Sequence, residues 1–191
     1  LWLAVGPEAA PAGIAVVNPE TGQRLRTLPV GEDPQRLAFT PDGRAVYVRL
    51  GAHRLVRWNL DTAAIDFDHE FPGDVIVDFV SLPEPRGRLA VLNGSRIALF
   101  EGDAIVQNLP LPTAEQGGLG VQGGRLWVAR QDGLRAYQIN PGNLTLAINR
   151  SLFIVSGNYR FAVQGQQLFF DGRVVDVNGG EREYFFTSGI P

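Results

Sequence analysis

Short apolar runs separated by turn residues recur along the whole chain. The clearest pair, residues 37–39 and 45–48, flanks Pro41-Asp42-Gly43, in which proline presets one turn dihedral and glycine admits a positive φ. This pattern predicts a β-hairpin. Because no segment shows an apolar period of about 3.6 residues over helical length, we expect an all-β chain with almost no helix.

The strand–turn–strand plan repeats at a nearly constant spacing. Four equivalent inner-strand positions, Phe39, Phe79, Val121 and Val163, follow one another at steps of 40, 42 and 42 residues. A period of about 40–45 residues is typical of four-stranded antiparallel β-propeller blades. We therefore predict a single β-propeller domain over residues 1–191, with a partial blade at residues 1–30 and about four complete blades at residues 31–72, 73–112, 113–154 and 155–191.

The predicted leading blade has three strands and lacks its inner strand. A propeller ring protects its sheet edges by closing, so an unclosed set of blades would expose them. We therefore expect that further blades come from a longer parent chain or from a partner chain. Apolar runs without polar alternation, such as residues 89–92 and 126–129, predict strands that are covered on both faces by stacked sheets.

The first hairpin resembles the repeat of the YVTN-type β-propellers. The resemblance is carried by Val30-Gly31, Pro34, Leu37-Ala38-Phe39, Thr40-Pro41-Asp42-Gly43 and Val46-Tyr47-Val48. The turn Asn18-Pro19-Glu20-Thr21-Gly22 is similar to that family's Asp-x-x-Thr-Gly turn. The resemblance implies a propeller fold and an extracytoplasmic location, which is periplasmic, secreted or at the cell surface.

Composition narrows the classes of partner. The net charge is -3, so the chain has no basic excess and nucleic acid is not an expected partner. All 17 basic residues are arginine, and no cysteine is present, which excludes disulfides and thiolate metal sites. No run approaches the roughly 20 apolar residues of a membrane span.

Asp78 is the first candidate site residue. In the repeat alignment it replaces the small residues Ala38, Gly120 and Ala162 on an inner strand, where neighbouring backbones crowd. A carboxylate buried there needs partners. We expect either a structural hydrogen bond or ion pair with an arginine, or a ligand site in the central channel that Asp78 lines.

The loops leading into the first strands and the turns between second and third strands should share one propeller face. The candidate residues on this ligand face are His53, Asp74, Glu115, Asn158, Arg130 and Asp132. A solvated loop histidine is the alternative for His53. Residues 65–71 alternate strictly, which should place Asp66, Asp68 and Glu70 on one strand face, either as a solvated acidic edge or as ligands for a hard cation.

The sequence favours a non-enzymatic binding or scaffold module that recognises a protein or a carbohydrate at one face, and it assigns no catalytic or cofactor-binding residue. A metal-dependent, lactonase-like hydrolase is the alternative, in which Asp78, Glu115 and Asn158 would converge on a divalent cation. A purely structural spacer module is the second alternative. Propellers host many unrelated functions, so the fold by itself does not decide among these three.

Overall fold

All regular structure in the described part of the chain is β-strand. The computed structural model describes residues 2–5, 13–30, 33–83, 87–94, 96–111, 117–130, 132–150, 162–164, 167–170 and 173–176. Within these ranges, 18 strands form five sheets and no helix occurs, as the apolar pattern predicts.

Each sheet is an antiparallel meander in which strands that are neighbours in the sequence pair with each other. The first sheet is β1 (Trp2–Val5), β2 (Gly13–Val17) and β3 (Arg24–Leu28). The second is β4 (Pro34–Phe39), β5 (Ala45–Leu50), β6 (Arg54–Asn59) and β7 (Ala64–Glu70). The third is β8 (Ile76–Ser81), β9 (Arg88–Asn93), β10 (Arg96–Glu101) and β11 (Ala104–Pro110). The fourth is β12 (Gly117–Gln122), β13 (Arg125–Arg130), β14 (Gly133–Asn140) and β15 (Asn143–Arg150), and the described strands of the fifth are β16 (Ala162–Gln164), β17 (Gln167–Phe170) and β18 (Arg173–Asp176).

These strands agree closely with the predicted blades. The pattern of apolar runs and turns predicts strands at residues 45–50, 54–59 and 125–130, and β5, β6 and β13 have these bounds. One sheet lies in each predicted blade. The pattern predicts a strand start at Arg36, but β4 begins at Pro34, because a strand can begin with proline where its missing N–H is not needed for the ladder. The pattern also predicts a last strand at residues 183–187, which lies outside the described residues.

The first hairpin has the predicted turn chemistry. Gly43 has a φ of 68°, and its N–H donates to the Thr40 carbonyl over 2.9 Å. The Thr40 hydroxyl donates to Oδ1 of Asp42 over 2.7 Å and also accepts the Ala45 N–H. The turn that joins β4 to β5 is therefore closed by both backbone and side-chain hydrogen bonds.

The chain forms two compact units, Leu1–Ile76 and Val77–Pro191, each with its own apolar core. In the first unit the buried cluster draws on β2 and on the second sheet, with Ile14, Val46, Val48, Val56 and Trp58 among its members. In the second unit the cluster joins the third and fourth sheets through residues that include Leu92, Leu99, Leu119, Leu126 and Val128. Both cores lie between stacked sheets, which explains why residues 89–92 and 126–129 are buried on both faces.

A buried arginine ties the third sheet to the fourth in the second unit. Arg88 Nη2 donates to the Asn140 carbonyl over 2.6 Å, and Arg88 Nε lies 3.1 Å from Oε1 of Glu101. The same Glu101 oxygen accepts the Gly142 N–H over 3.0 Å. These contacts seat the turn between β14 and β15 against the neighbouring sheet.

The outer strands of the same two sheets are joined by one side-chain amide. Gln107 Nε2 on β11 donates to the Leu144 carbonyl of β15 over 3.3 Å, and the Leu144 N–H donates to Gln107 Oε1 over 2.7 Å. The amide therefore satisfies both backbone groups of one residue, as a neighbouring strand would.

The strict alternation predicted for residues 65–71 is wrong at one position. A β-bulge shifts the register of β6 and β7, so that Arg57 pairs with Phe67 while Trp58 pairs with Ile65. As a result, Arg57 contacts two neighbouring residues of β7. Its Nε donates to Oδ1 of Asp66 over 2.6 Å, and its Cζ lies 6.0 Å from the centroid of the Phe67 ring. Asp66, Asp68 and Glu70 remain exposed.

Candidate functional site

The turn between β5 and β6 and the segment leading into β8 are interlocked by main-chain hydrogen bonds. The Phe71 N–H donates to the His53 carbonyl, and the Ile76 N–H donates to the Ala52 carbonyl, both over 2.8 Å. The Asp74 N–H donates to the Phe71 carbonyl over 3.2 Å. The structure therefore brings His53 and Asp74 together, as the predicted sharing of one face requires.

The His53 ring is oriented by this segment. Its Nδ1 lies 2.8 Å from the Asp74 carbonyl oxygen. Because a carbonyl oxygen only accepts hydrogen bonds, Nδ1 carries a proton in this contact. The residue is exposed, so its Nε2 is accessible to a molecule that binds from solvent.

A second loop reaches the same turn. The Gly51 N–H donates to the Asp33 carbonyl over 3.0 Å, and Asp33 has a φ of 50°, which is uncommon for a residue other than glycine. Its carboxylate accepts a hydrogen bond from Gln35 Nε2 over 2.9 Å. Asp33 thus adds an exposed carboxylate beside the His53 turn.

Arg49 links the loop that contains Gln35 to the start of β8, a role that sequence reasoning missed. Its Nη1 donates to the Ile76 carbonyl and its Nη2 donates to Gln35 Oε1, each over 2.7 Å. A signal was present, because Arg49 interrupts the apolar run of β5, and a cation in a strand that is otherwise buried needs acceptors nearby.

An apolar side chain lies next to these polar groups. Val75 follows Asp74 in the interlocked segment and is 51% exposed. We call the exposed residues Asp33, His53, Pro72 and Val75, together with the half-buried Asp74, the His53 surface. It combines carboxylates, an imidazole ring and an exposed aliphatic side chain on a backbone fixed by hydrogen bonds.

The second unit holds Arg130 and Asp132 at the turn between β13 and β14. Asp132 is exposed and accepts two hydrogen bonds from Arg135, at 2.6 and 3.2 Å, which hold the pKa of Asp132 below its ordinary value of 3.8 and raise that of Arg135. Arg130 is buried, and burial lowers its pKa. Arg130 is therefore not part of an exposed ligand surface, whereas Asp132 is an exposed residue held by an ion pair.

Asp78 is a structural link between two inner strands. It is 1% exposed, its Oδ1 accepts the Phe79 N–H over 2.6 Å, and its Oδ2 accepts the Leu119 N–H of β12 over 2.7 Å. Of the two alternatives that the sequence left open for Asp78, these contacts favour the structural hydrogen bond. One of its partners is the backbone amide of Leu119 in the next sheet.

Two further candidates, Glu115 and Asn158, lie outside the described residues. Within the described ranges, no group of three or more His, Cys, Asp or Glu side chains is placed to hold a metal ion. The acidic residues of β7 face arginines instead: Arg54 binds Asp68 through two hydrogen bonds of 2.9 and 2.6 Å, which lower the pKa of Asp68.

Comparison with known proteins identifies the fold. No protein-family model and no curated protein matches the sequence. Among solved structures, the chain is similar to one in "Crystal Structure of Mitotic Checkpoint Complex", with a TM-score of 0.67 and 13% identity over 86% of this chain and 53% of that chain. It is also similar to "KlHsv2 with loop 6CD replaced by a Gly-Ser linker", with a TM-score of 0.57 and 13% identity over 73% of this chain and 52% of that chain.

The fold is that of a β-propeller. The four-stranded antiparallel blades and both structural neighbours agree on this, so the predicted fold class is confirmed. The chain spans about half the length of the two chains to which it is similar. The YVTN-type resemblance and the single-domain assignment stay predictions.

A search for membrane-spanning helices found none in the described part of the chain.

Proposed function

We propose that this chain is a non-enzymatic β-propeller module that binds a protein partner through the His53 surface. The observation that carries the proposal is the exposure of Val75 on a segment that main-chain hydrogen bonds hold in place. An exposed apolar side chain on a fixed backbone loses little conformational entropy when it is covered, which favours binding.

The polar groups of the His53 surface orient a partner. Nε2 of His53 can form a hydrogen bond with it, and the exposed carboxylate of Asp33 favours donors or cationic side chains. Protein interfaces typically combine apolar and polar groups in this way. The similarity to a chain in a mitotic checkpoint complex supports a role in protein binding, and the YVTN-type resemblance supports an extracytoplasmic location.

The test is a quantitative affinity capture with three forms of the chain. The wild type, Val75→Asp and Leu25→Asp are immobilised and exposed to extract from the source organism. Leu25 is the matched control, because it is a 61% exposed aliphatic residue of the same unit but lies on the outer strand β3. The proposal predicts proteins that the wild type and Leu25→Asp retain and that Val75→Asp loses.

Two results would refute the proposal. One is that Val75→Asp captures the same proteins as the wild type, in the same amounts. The other is that no protein binds the wild type above the level of an unrelated β-rich control. Thermal unfolding of all three forms, followed by circular dichroism, ensures that a loss of binding is not a loss of folding.

A further inference from the structure

The carboxylate of Asp33 lies against the turn that carries His53. The Gly51 N–H donates to the Asp33 carbonyl over 3.0 Å, and a Cβ atom on Gly51 would lie 3.9 Å from Oδ2 of Asp33. The side chain of Asp33 is therefore placed beside the turn together with its backbone. An ionised carboxylate has about four acceptor positions, and Gln35 Nε2 occupies one of them at 2.9 Å. Because Asp33 is exposed, other acceptor positions remain accessible from solvent.

Two further side chains hold this carboxylate in position. Arg49 Nη2 donates to Gln35 Oε1, and Arg49 Nη1 donates to the Ile76 carbonyl, each over 2.7 Å. Since Arg49 fixes the carbonyl end of the Gln35 amide, the Nε2 end is directed at Asp33. The carboxylate is thus ordered before a partner arrives and loses little conformational entropy on binding.

The arginines on either side of the turn bind other groups. Arg54 donates two hydrogen bonds to Asp68, at 2.9 and 2.6 Å, and Arg49 is bound to the Ile76 carbonyl and to Gln35. Both guanidinium groups therefore have acceptors other than Asp33. The negative charge of Asp33 is accordingly presented to solvent by a surface that also carries the exposed Val75.

The acidic excess of the protein lies in the unit that carries this surface. Residues 1–76 contain ten acidic and seven basic side chains, whereas residues 77–191 contain ten of each. The net charge of -3 therefore belongs to the first unit. A charge excess of this sign attracts a cationic partner and repels an acidic one, which affects both the association rate and the choice of partner.

We infer that the segment of the partner protein that binds the His53 surface is basic, with an arginine or lysine near an aliphatic side chain. The cationic group pairs with Asp33, and the aliphatic group covers Val75. Asp33 is then a specificity-determining residue, because its carboxylate rejects an acidic segment by repulsion. This inference rests on the proposed binding role of the His53 surface and adds the charge of the partner.

The test uses three capped hexapeptides as probes of the ¹⁵N-labelled 191-residue chain. The first is Gly-Leu-Arg-Arg-Leu-Gly, the second has citrulline at both arginine positions, and the third has glutamate there. Citrulline keeps the shape of arginine but lacks its charge. The arginine peptide should shift the amide signals of Gly51, His53 and Val75 saturably and bind about three- to fivefold more tightly than the citrulline peptide. The glutamate peptide should bind more weakly than either.

One pair of matched variants assigns this preference to Asp33. Asp33→Asn removes the charge, and asparagine tolerates the φ of 50° at this position. It should bind the arginine and citrulline peptides equally. Asp61→Asn is the control, since it makes the same change at an exposed residue of the same unit that follows the other end of β6. It should keep the preference of the wild type, and raising NaCl from about 50 to about 500 mM should reduce that preference.

Four results would overturn the inference. They are equal binding of the arginine and citrulline peptides at low salt, binding of the glutamate peptide as tight as that of the arginine peptide, an Asp33→Asn variant that keeps the preference, and the absence of saturable shifts with any of the peptides. None of these results alters the affinity capture with Val75→Asp. The binding role of the surface and the charge of its partner are therefore refuted by different experiments.

Discussion

Replacing Asp78 by alanine should destabilise the fold through a specific inter-strand contact. The carboxylate is buried and accepts the Leu119 N–H over 2.7 Å, which links β8 to β12 across the boundary between two sheets. The substitution removes this acceptor and leaves the Leu119 N–H buried in a place that is closed to water.

The size of the effect follows from that contact. A hydrogen bond to a charged group contributes about 1.5–3 kcal/mol, and a buried donor left without an acceptor costs about 1–3 kcal/mol. The second bond, to the adjacent Phe79 N–H, is local and adds less. We therefore expect Asp78→Ala to lower the free energy of unfolding by about 3 kcal/mol. For a chain of this length that corresponds to a fall in Tm of roughly 6–12 °C.

Urea unfolding followed by tryptophan fluorescence, to which the buried Trp58 and Trp127 contribute, measures this loss, and hydrogen exchange locates it. Exchange of the Leu119 amide should accelerate more than that of amides in the first unit. Asp78→Asn keeps one acceptor oxygen and should lose less stability than Asp78→Ala. Asp103→Asn, at an exposed turn, is the control and should stay within about 0.5 kcal/mol of the wild type.

The outcome also decides between the two roles that the sequence allowed for Asp78. A residue that only lines a ligand site would leave Tm nearly unchanged when replaced. A fall of less than about 1 °C in Asp78→Ala, or an unaltered Leu119 exchange rate, would therefore refute the structural assignment.

Two further predictions concern polar contacts of the second unit. Asp132→Asn should cost about 0.2–1 kcal/mol at pH 7. Because its bond with Arg135 lowers the folded pKa of Asp132 below 3.8, that stability is present above this value and is lost as the pH falls through the lowered pKa. Urea unfolding at pH 7 and at about pH 2–3 should show the difference closing, and a constant difference would contradict this. Gln107→Leu should cost about 1–2 kcal/mol and speed exchange of the Leu144 amide, whereas Asn108→Leu, the exposed neighbour, should do neither; equal effects would argue against the amide link.

The sequence predicted the strands well because their signals are local. Apolar runs and turn residues specify where a strand begins and ends within a few positions, as in β5, β6 and β13. The pairing of loop and turn on one face was also predictable, because antiparallel meanders return to the same end of the sheet at regular intervals. This is why His53 and Asp74, 21 residues apart, were expected together and are found together.

The contacts that define individual side chains were not predictable in this way. Asp78 accepts a hydrogen bond from the amide of Leu119, 41 residues away, and Gln107 accepts one from the amide of Leu144, 37 residues away. Both contacts exist only because two sheets stack at a particular angle and register. The bulge beside Asp66 depends on how β7 fits its neighbour rather than on its alternating letters.

The sequence by itself therefore determined the class of fold, the order of the strands and the positions of the turns, since these depend on hydrophobic periodicity and turn chemistry within each repeat. The tertiary structure decided that Arg130 is buried, that Asp78 serves the scaffold, and that Val75 and Leu146 remain exposed. The physical reason is that the burial of a side chain and its hydrogen-bond partners depend on which surfaces come into contact when sheets pack. The spacing of residues within one repeat does not specify those contacts.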